Sequence, residues 1–173
     1  MNESHFTVAH VRLTTRKPFQ EVVDAIERQL GRFDPQAIPA LATNTKPKDA
    51  RTRIEGMVGP SGFMSFGTVD HGALLTIIGQ KRKAIQYTIG NPLFALQMTE
   101  HDVRAGLYAP LRVLVYENQD GSVELEYDKP SSLFGQLNLE RVRNVAAMLD
   151  RKLEDLLSQA AESPSLCETC TLP

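Results

Sequence analysis

Apolar and polar side chains alternate most clearly between residues 90 and 128, where a short helix is followed by two strands. Residues 111–117 are rich in branched and aromatic side chains, and residues 122–128 change from apolar to polar with a period of two. Asp120 and Gly121 lie between these two runs and are typical of a hairpin turn. The pattern therefore predicts a β-hairpin.

The length of the hairpin loop decides which side chains share a face of the sheet. A two-residue loop would place the valines of the first strand beside glutamates of the second. A three-residue loop that ends in a glycine bulge at Gly121 keeps the apolar residues together instead. We therefore predict the three-residue loop, which aligns four residues on one face: Val113, Val115, Leu125 and Tyr127.

The same periodicities locate the larger elements in the rest of the chain. Alternating or apolar runs predict three further strands, at 6–14, 63–69 and 82–89. Apolar residues at helical spacing predict two main helices, at 18–30 and 138–157. Asn138 is in position to cap the second of these helices.

Three shorter segments have weaker patterns. Asn91 before Pro92 predicts a helix start, because the Asn side chain accepts an orphan backbone N–H and proline fits the first helical position. Residues 48–58 predict a further helix. Residues 72–78 fit either a strand or a helix, and a cap at Asp70 favours the helix.

Together these elements predict an α+β fold in which an antiparallel sheet carries the two main helices on one face. Residues 32–47 contain three prolines and predict a surface loop. We expect a single domain over residues 1–157. Residues 158–173 are small and polar, which predicts a mobile tail.

Composition narrows the class of protein. The 173 residues are 42% hydrophobic and 23% charged, as is ordinary for one globular domain. The net charge of -2 argues against a general nucleic-acid binder. The first residues do not resemble a secretory signal, and no apolar run reaches membrane-spanning length. With only two cysteines, we expect a cytoplasmic chain that does not depend on disulfides. We also expect no cofactor and no membrane partner.

Asp70 and His71 are the first candidates for catalysis. A carboxylate beside an imidazole can fix its tautomer and raise its pKa, which suits a general base. Adjacent residues seldom point together, however, so the alternative is that Asp70 caps a helix and His71 lies in a turn. No serine or cysteine nucleophile can be paired with them from sequence.

Three further clusters are weaker candidates for binding. Cys167 and Cys170 have the spacing of a redox pair or half a zinc site, but no second half accompanies them. Residues 100–102 offer Glu, His and Asp, yet consecutive helical residues diverge and cannot share one ion. Residues 81–83 are basic but lack a glycine-rich phosphate loop. We therefore expect no metal site.

Several of these segments resemble a bacterial and archaeal family, domain of unknown function family 302. The resemblance rests on Gly-Asn-Pro at 90–92, Pro-Leu-Arg-Val-Leu-Val-Tyr-Glu at 110–117, the following Asp-Gly, Tyr127 with Pro130, and Asp70 with His71. It covers roughly residues 6–157, although the stretch 32–62 is longer than the family pattern leads us to expect. Membership implies a compact α+β domain, usually dimeric, with no established activity.

The predicted hairpin register also leaves large apolar groups on the face away from the helices. Leu114 and Tyr116 lie there beside Arg112, which falls opposite Asp128. Such groups should be covered by a second copy of the chain, by a ligand pocket closed by residues 32–62, or by the helix at 48–58. We favour the homodimer.

Two functional hypotheses follow from these observations. The first is a dimeric module that binds a small ligand or a protein partner without chemistry, using Arg112, Leu114, Tyr116 and Asn91. The second is a small hydrolase or isomerase that uses His71 with Asp70.

Overall fold

Six strands form one sheet in the computed structural model, which describes residues 3–36 and 46–162. In chain order they are β1 (His10–Thr15), β2 (Gly31–Arg32), β3 (Met64–Asp70), β4 (Ala84–Gly90), β5 (Leu111–Glu117) and β6 (Val123–Asp128). Across the sheet their order is β1-β6-β5-β4-β3-β2. Neighbouring strands are antiparallel except for β2 and β3, which are parallel.

The α-helices are α1 (Phe19–Gln29), α2 (Pro47–Glu55), α3 (His71–Leu75), α4 (Pro92–Thr99), α5 (Pro130–Phe134) and α6 (Glu140–Ala161). Short 3₁₀ segments follow α3 at Thr76–Ile78, α4 at Val103–Tyr108 and α5 at Gly135–Leu137. The fold class is therefore α+β, as predicted.

The core lies between the sheet and the two longest helices. Helix α1 buries Phe19, Val22, Val23 and Ile26, which recur every three or four residues. Helix α6 buries a similar stripe: Val142, Ala146, Leu149, Leu153, Leu156, Leu157 and Ala160. These stripes belong to the same core cluster as Val113, Val115, Leu125 and Tyr127. The prediction of two main helices on one face of the sheet is confirmed.

The predicted hairpin register is also confirmed. Val113 pairs with Tyr127, and Val115 pairs with Leu125. Asn118 N donates to Ser122 O at 2.8 Å, which leaves three residues in the loop. Gly121 has a φ of 79°, a left-handed conformation that costs little only for glycine.

The sheet is mixed, so the prediction of a purely antiparallel sheet was wrong. The difference is β2, a two-residue strand at the junction between the first predicted helix and the loop predicted for residues 32–47. Its pairing uses backbone groups alone, with Gly31 N donating to Phe63 O at 2.9 Å and Phe33 N donating to Ser65 O at 3.1 Å. Two residues are too few to show a period in the sequence. The chain passes so close here that a Cβ on Gly31 would collide with Met57 O.

Several boundaries also differ from the predictions. Strand β1 begins at His10 rather than at residue 6, because its partner β6 ends at Asp128 and the chain then turns into α5 at Pro130. Asn138 does not cap α6: it has a φ of 53° and its side-chain oxygen accepts from Arg143 at 2.8 Å.

The predicted tail began too early. Helix α6 continues through Ala161, and Ala160 is 2% exposed in the core. Thr15 Oγ1 donates to the Ala161 carbonyl at 2.7 Å, which attaches the last turn to β1. Cys167 and Cys170 lie outside the described residues.

Candidate functional site

The face of the sheet away from α1 and α6 carries an ordered set of charged and apolar side chains, which we call the open face. The strand register places three residues from each of β1, β6 and β5 on it: His10, Arg12, Thr14, Glu124, Glu126, Asp128, Arg112, Leu114 and Tyr116. Leu114 and Tyr116 are half-buried and Arg112 is exposed. No described element encloses these apolar groups.

Glu126 is the centre of the polar contacts on the open face. Its Oε1 accepts from Arg12 Nε at 2.7 Å and from the Tyr116 hydroxyl at 2.8 Å, while its Oε2 lies 3.3 Å from His10 Nε2. Partial burial of Glu126 raises its pKa, but the hydrogen bonds from Tyr116 and Arg12 outweigh burial and hold the pKa below its ordinary value. Glu126 is therefore ionised near neutral pH.

The neighbours of Glu126 are fixed by the same contacts. His10 Nδ1 lies 3.0 Å from Asp128 Oδ1, and this hydrogen bond, together with Glu126, raises the pKa of the imidazole. Burial, followed by the hydrogen bond to Glu126, raises the pKa of the Tyr116 phenol, which stays protonated. Because Glu126 already accepts from two donors, it is a poor general base. The network positions charge and offers no nucleophile.

Glu124 lies deeper and is equally satisfied. It is 8% exposed and accepts from Thr14 Oγ1 at 2.9 Å and from Asn118 Nδ2 at 3.2 Å.

Arg112 differs from these residues. Among the described residues it has no carboxylate within 4 Å, since the Asp128 carboxylate is bound to His10. The predicted opposition of Arg112 and Asp128 thus does not form an ion pair within one chain.

Asp70 and His71 are separated by their local structure. Asp70 Oδ1 accepts from Ala73 N at 2.8 Å and caps α3, which confirms the helix predicted for this segment. The part of the chain that the structure describes contains no hydrogen bond between Asp70 and His71, and His71 is half-buried at the first position of α3. The carboxylate that would orient a histidine base serves the helix end instead.

Asn91, also predicted as a site residue, makes two side-chain hydrogen bonds. Its Oδ1 accepts from Leu93 N at 2.9 Å, which confirms the predicted cap of α4. Its Nδ2 donates to Gly62 O at 3.0 Å. Both halves of the side-chain amide are therefore used for structure.

Asn91 also borders a cavity that the sequence did not predict. The cavity has a volume of about 220 Å³ and lies where the ends of β4 and β5 meet α4. Gly90, Asn91, Pro92 and residues 109–111 contribute to its walls. The only sequence signals for it were two short motifs. Gly-Asn-Pro lies where β4 ends and α4 begins, and Pro-Leu lies at the start of β5.

One member of each of the other two described clusters makes internal contacts. Asp102 accepts from Arg104 N at 2.9 Å and binds the Arg104 guanidinium, so it is not available as a metal ligand. Lys83 Nζ pairs with Glu117 at 2.9 Å. Across residues 3–36 and 46–162, no three His, Cys, Asp or Glu side chains are grouped to hold a metal ion. No helix in the same part of the chain is long and apolar enough to cross a membrane.

Comparison with known proteins adds a family and a fold. The profile of the family described as Domain of unknown function DUF302 matches residues 40–160. The structure is similar to that of an uncharacterized conserved DUF302 protein from Bacillus stearothermophilus, with a TM-score of 0.62 and 16% identity over 87% of this chain and 97% of that chain. At this identity the similarity concerns the fold alone. Comparison with curated proteins finds no match.

Proposed function

The chain belongs to the family described as Domain of unknown function DUF302, and we propose that it is a non-catalytic binding module that forms a homodimer through its open face. The observation that carries this proposal is the placement of Leu114 and Tyr116, two large apolar groups left half-buried within a rim of charges. Apolar anchors inside a polar rim are typical of protein interfaces.

The charges on the open face favour a second copy of the same chain over other partners. Three basic residues and three acidic residues are interspersed on it: His10, Arg12, Arg112, Glu124, Glu126 and Asp128. A nucleic acid would need a face of one sign. A two-fold interface brings a patch against itself, so a patch with both signs can be self-complementary.

Arg112 supports the same partner. It is exposed, and among the described residues it lacks a carboxylate within 4 Å. On the same face β6 carries Asp128, whose side chain is 41% exposed, so Arg112 of one protomer can reach Asp128 of the other while Glu126 keeps its own contacts. Helix α2 contacts α4 and buries Ile54, and it leaves Leu114 and Tyr116 half-buried, so it does not replace the partner.

The cytoplasmic location is part of the proposal. It is supported by the small number of cysteines, two in 173 residues, which is typical of proteins that do not depend on disulfides.

Sedimentation velocity of the wild-type protein and a double variant, Leu114→Asp with Tyr116→Ser, tests the dimer. We expect the wild type at twice the chain mass of 19.2 kDa and the variant as a folded monomer. The matched control is Leu96→Asp, since Leu96 is 51% exposed on α4, away from the open face. An unchanged dimer in the double variant, or an unfolded chain, contradicts the proposed interface.

A further inference from the structure

The cavity beside Asn91 is open to solvent on one side, as a ligand pocket is, and is not an enclosed void. Ligand pockets are concave, mostly apolar clefts of about 300–1,000 Å³. At about 220 Å³ this cavity lies just below that range, which suits a small ligand. It is walled by four phenylalanines that come from four separate parts of the chain: Phe33, Phe66, Phe94 and Phe134.

The walls are held in place by aromatic contacts. The rings of Phe33 and Phe66 lie 4.4 Å apart at an angle of 34°. Phe134 meets Tyr108 edge-on at 6.0 Å, and Phe94 meets Phe63 edge-on at 6.4 Å. Phe33, Phe66 and Phe94 are half-buried, whereas Phe134 is fully buried. The first three therefore lie toward solvent, and Phe134 forms part of the base.

The chemistry of the lining restricts what can enter. None of the described residues that line the cavity is charged. Among the lining residues that the structure describes, Asn91 is the one side chain with a strong hydrogen-bonding group, and both of its amide atoms are already bonded within the protein. A charged group placed against this lining would lose its hydration and find no partner, which is strongly unfavourable.

The apolar groups favour a ring over a chain of similar size. Aromatic pairs gain about 0.5–1.5 kcal/mol beyond the burial of their area. Met98, at 1% exposure, adds a thioether to the base of the cavity, and sulfur also packs favourably against rings.

We infer that this cavity binds an uncharged aromatic molecule. An apolar cavity of about 150 Å³ accepts benzene, so the larger volume here corresponds to about seven to ten non-hydrogen atoms. The inference deepens the proposed role as a binding module and rests on that role, but it does not depend on the dimer.

Toluene and benzoate are matched probes, because they share one ring and differ in the carboxylate. With ¹³C-methyl methionine, we expect toluene to shift the Met98 resonance of the wild type and benzoate to leave it unchanged. At ten times its Kd, toluene should raise Tm by about 3–6 °C through mass action.

Ala95→Phe places a ring in the cavity from α4, since Ala95 is part of the lining. Ala147→Phe is the matched control, because Ala147 is exposed on α6 and lies outside the lining. Toluene should raise the Tm of the control as it does for the wild type, and should lose most of its effect on Ala95→Phe. If Ala95→Phe does not fold, the Met98 resonance of the wild type decides alone.

Three results would overturn the inference: no effect of toluene on the Met98 resonance, equal binding of benzoate, or an equal response of Ala95→Phe. Sedimentation of the same samples separates this inference from the proposed dimer. A dimer that does not bind toluene contradicts the cavity ligand alone, and a monomer that binds toluene contradicts the interface alone.

Discussion

Replacing Asn91 with alanine should destabilise the protein more than the loss of a simple helix cap. Asn91 is 9% exposed, and its side chain joins two segments of the chain. It accepts from Leu93 N at the start of α4, and it donates to Gly62 O just before β3. Alanine makes neither hydrogen bond.

The expected loss of stability in Asn91→Ala is the sum of the losses of these two hydrogen bonds. Removing an N-cap costs about 1 kcal/mol. Leaving the Gly62 carbonyl without its partner adds about 1–3 kcal/mol where it is shielded from water. We therefore expect Asn91→Ala to lower the free energy of unfolding by about 2–4 kcal/mol. Asn91→Asp retains the acceptor for Leu93 but not the donor for Gly62, so its effect should come mainly from the second contact.

Urea unfolding followed by circular dichroism measures this effect. With an m-value of about 2 kcal/mol/M, the midpoint should fall by about 1–2 M for Asn91→Ala. Asn144→Ala is the matched control, because Asn144 is exposed on α6, and it should change the free energy by no more than about 0.5 kcal/mol. A loss below about 0.5 kcal/mol for Asn91→Ala would refute the structural role given to both hydrogen bonds.

Three further predictions address the fold and the open face. NMR titration should give His10 a pKa above its ordinary 6.5, and this pKa should fall in Asp128→Asn. The stability that protonated His10 contributes is present below pH 6.5 and is lost as the pH rises through the folded pKa. A pKa at or below 6.5 would contradict the contacts of His10. Gly121→Ala should lower the free energy of unfolding in urea by about 1 kcal/mol, because Gly121 has a positive φ. Gly135→Ala should lower it little, because there is open space at its Cβ. Equal effects of the two substitutions would contradict the turn. Deleting residues 163–173 should leave Tm unchanged. Deleting residues 160–173 should lower Tm by several degrees, because Ala160 is buried and its carbonyl accepts from Lys17. Equal Tm values for the two deletions would contradict this packing.

The parts of the fold that could be predicted depend on local chemistry. The hairpin register follows from a period of two and the length of one loop, and both are visible within residues 111–128. The caps at Asp70 and Asn91 are also local, since each side chain bonds a backbone N–H two or three residues away. For the same reason the start of α4 could be placed at Pro92.

The parts that could not be predicted depend on residues far apart in the chain. Strand β2 is defined by backbone groups near Phe63, and no periodicity marks it. The Glu126 network needs β1 beside β6, which brings together His10 and Glu126 from 116 residues apart. The sequence placed Leu114 and Tyr116 on the open face, but it did not predict which charges surround them. The cavity at Asn91 likewise needs six separate segments, so only the structure reveals it.

The most direct test of the proposed dimer is a distance between protomers. Pulsed EPR would be recorded on nitroxide labels at Gln86→Cys, on β4 beside Leu114, and at Ala147→Cys, on α6, each with Cys167 and Cys170 replaced by serine. Two sheets packed through their open faces lie about 10 Å apart, and each helix layer adds about 10 Å. The proposed dimer predicts a separation below about 25 Å for the Gln86 labels and above about 30 Å for the Ala147 labels. A larger separation for the Gln86 labels than for the Ala147 labels would contradict it.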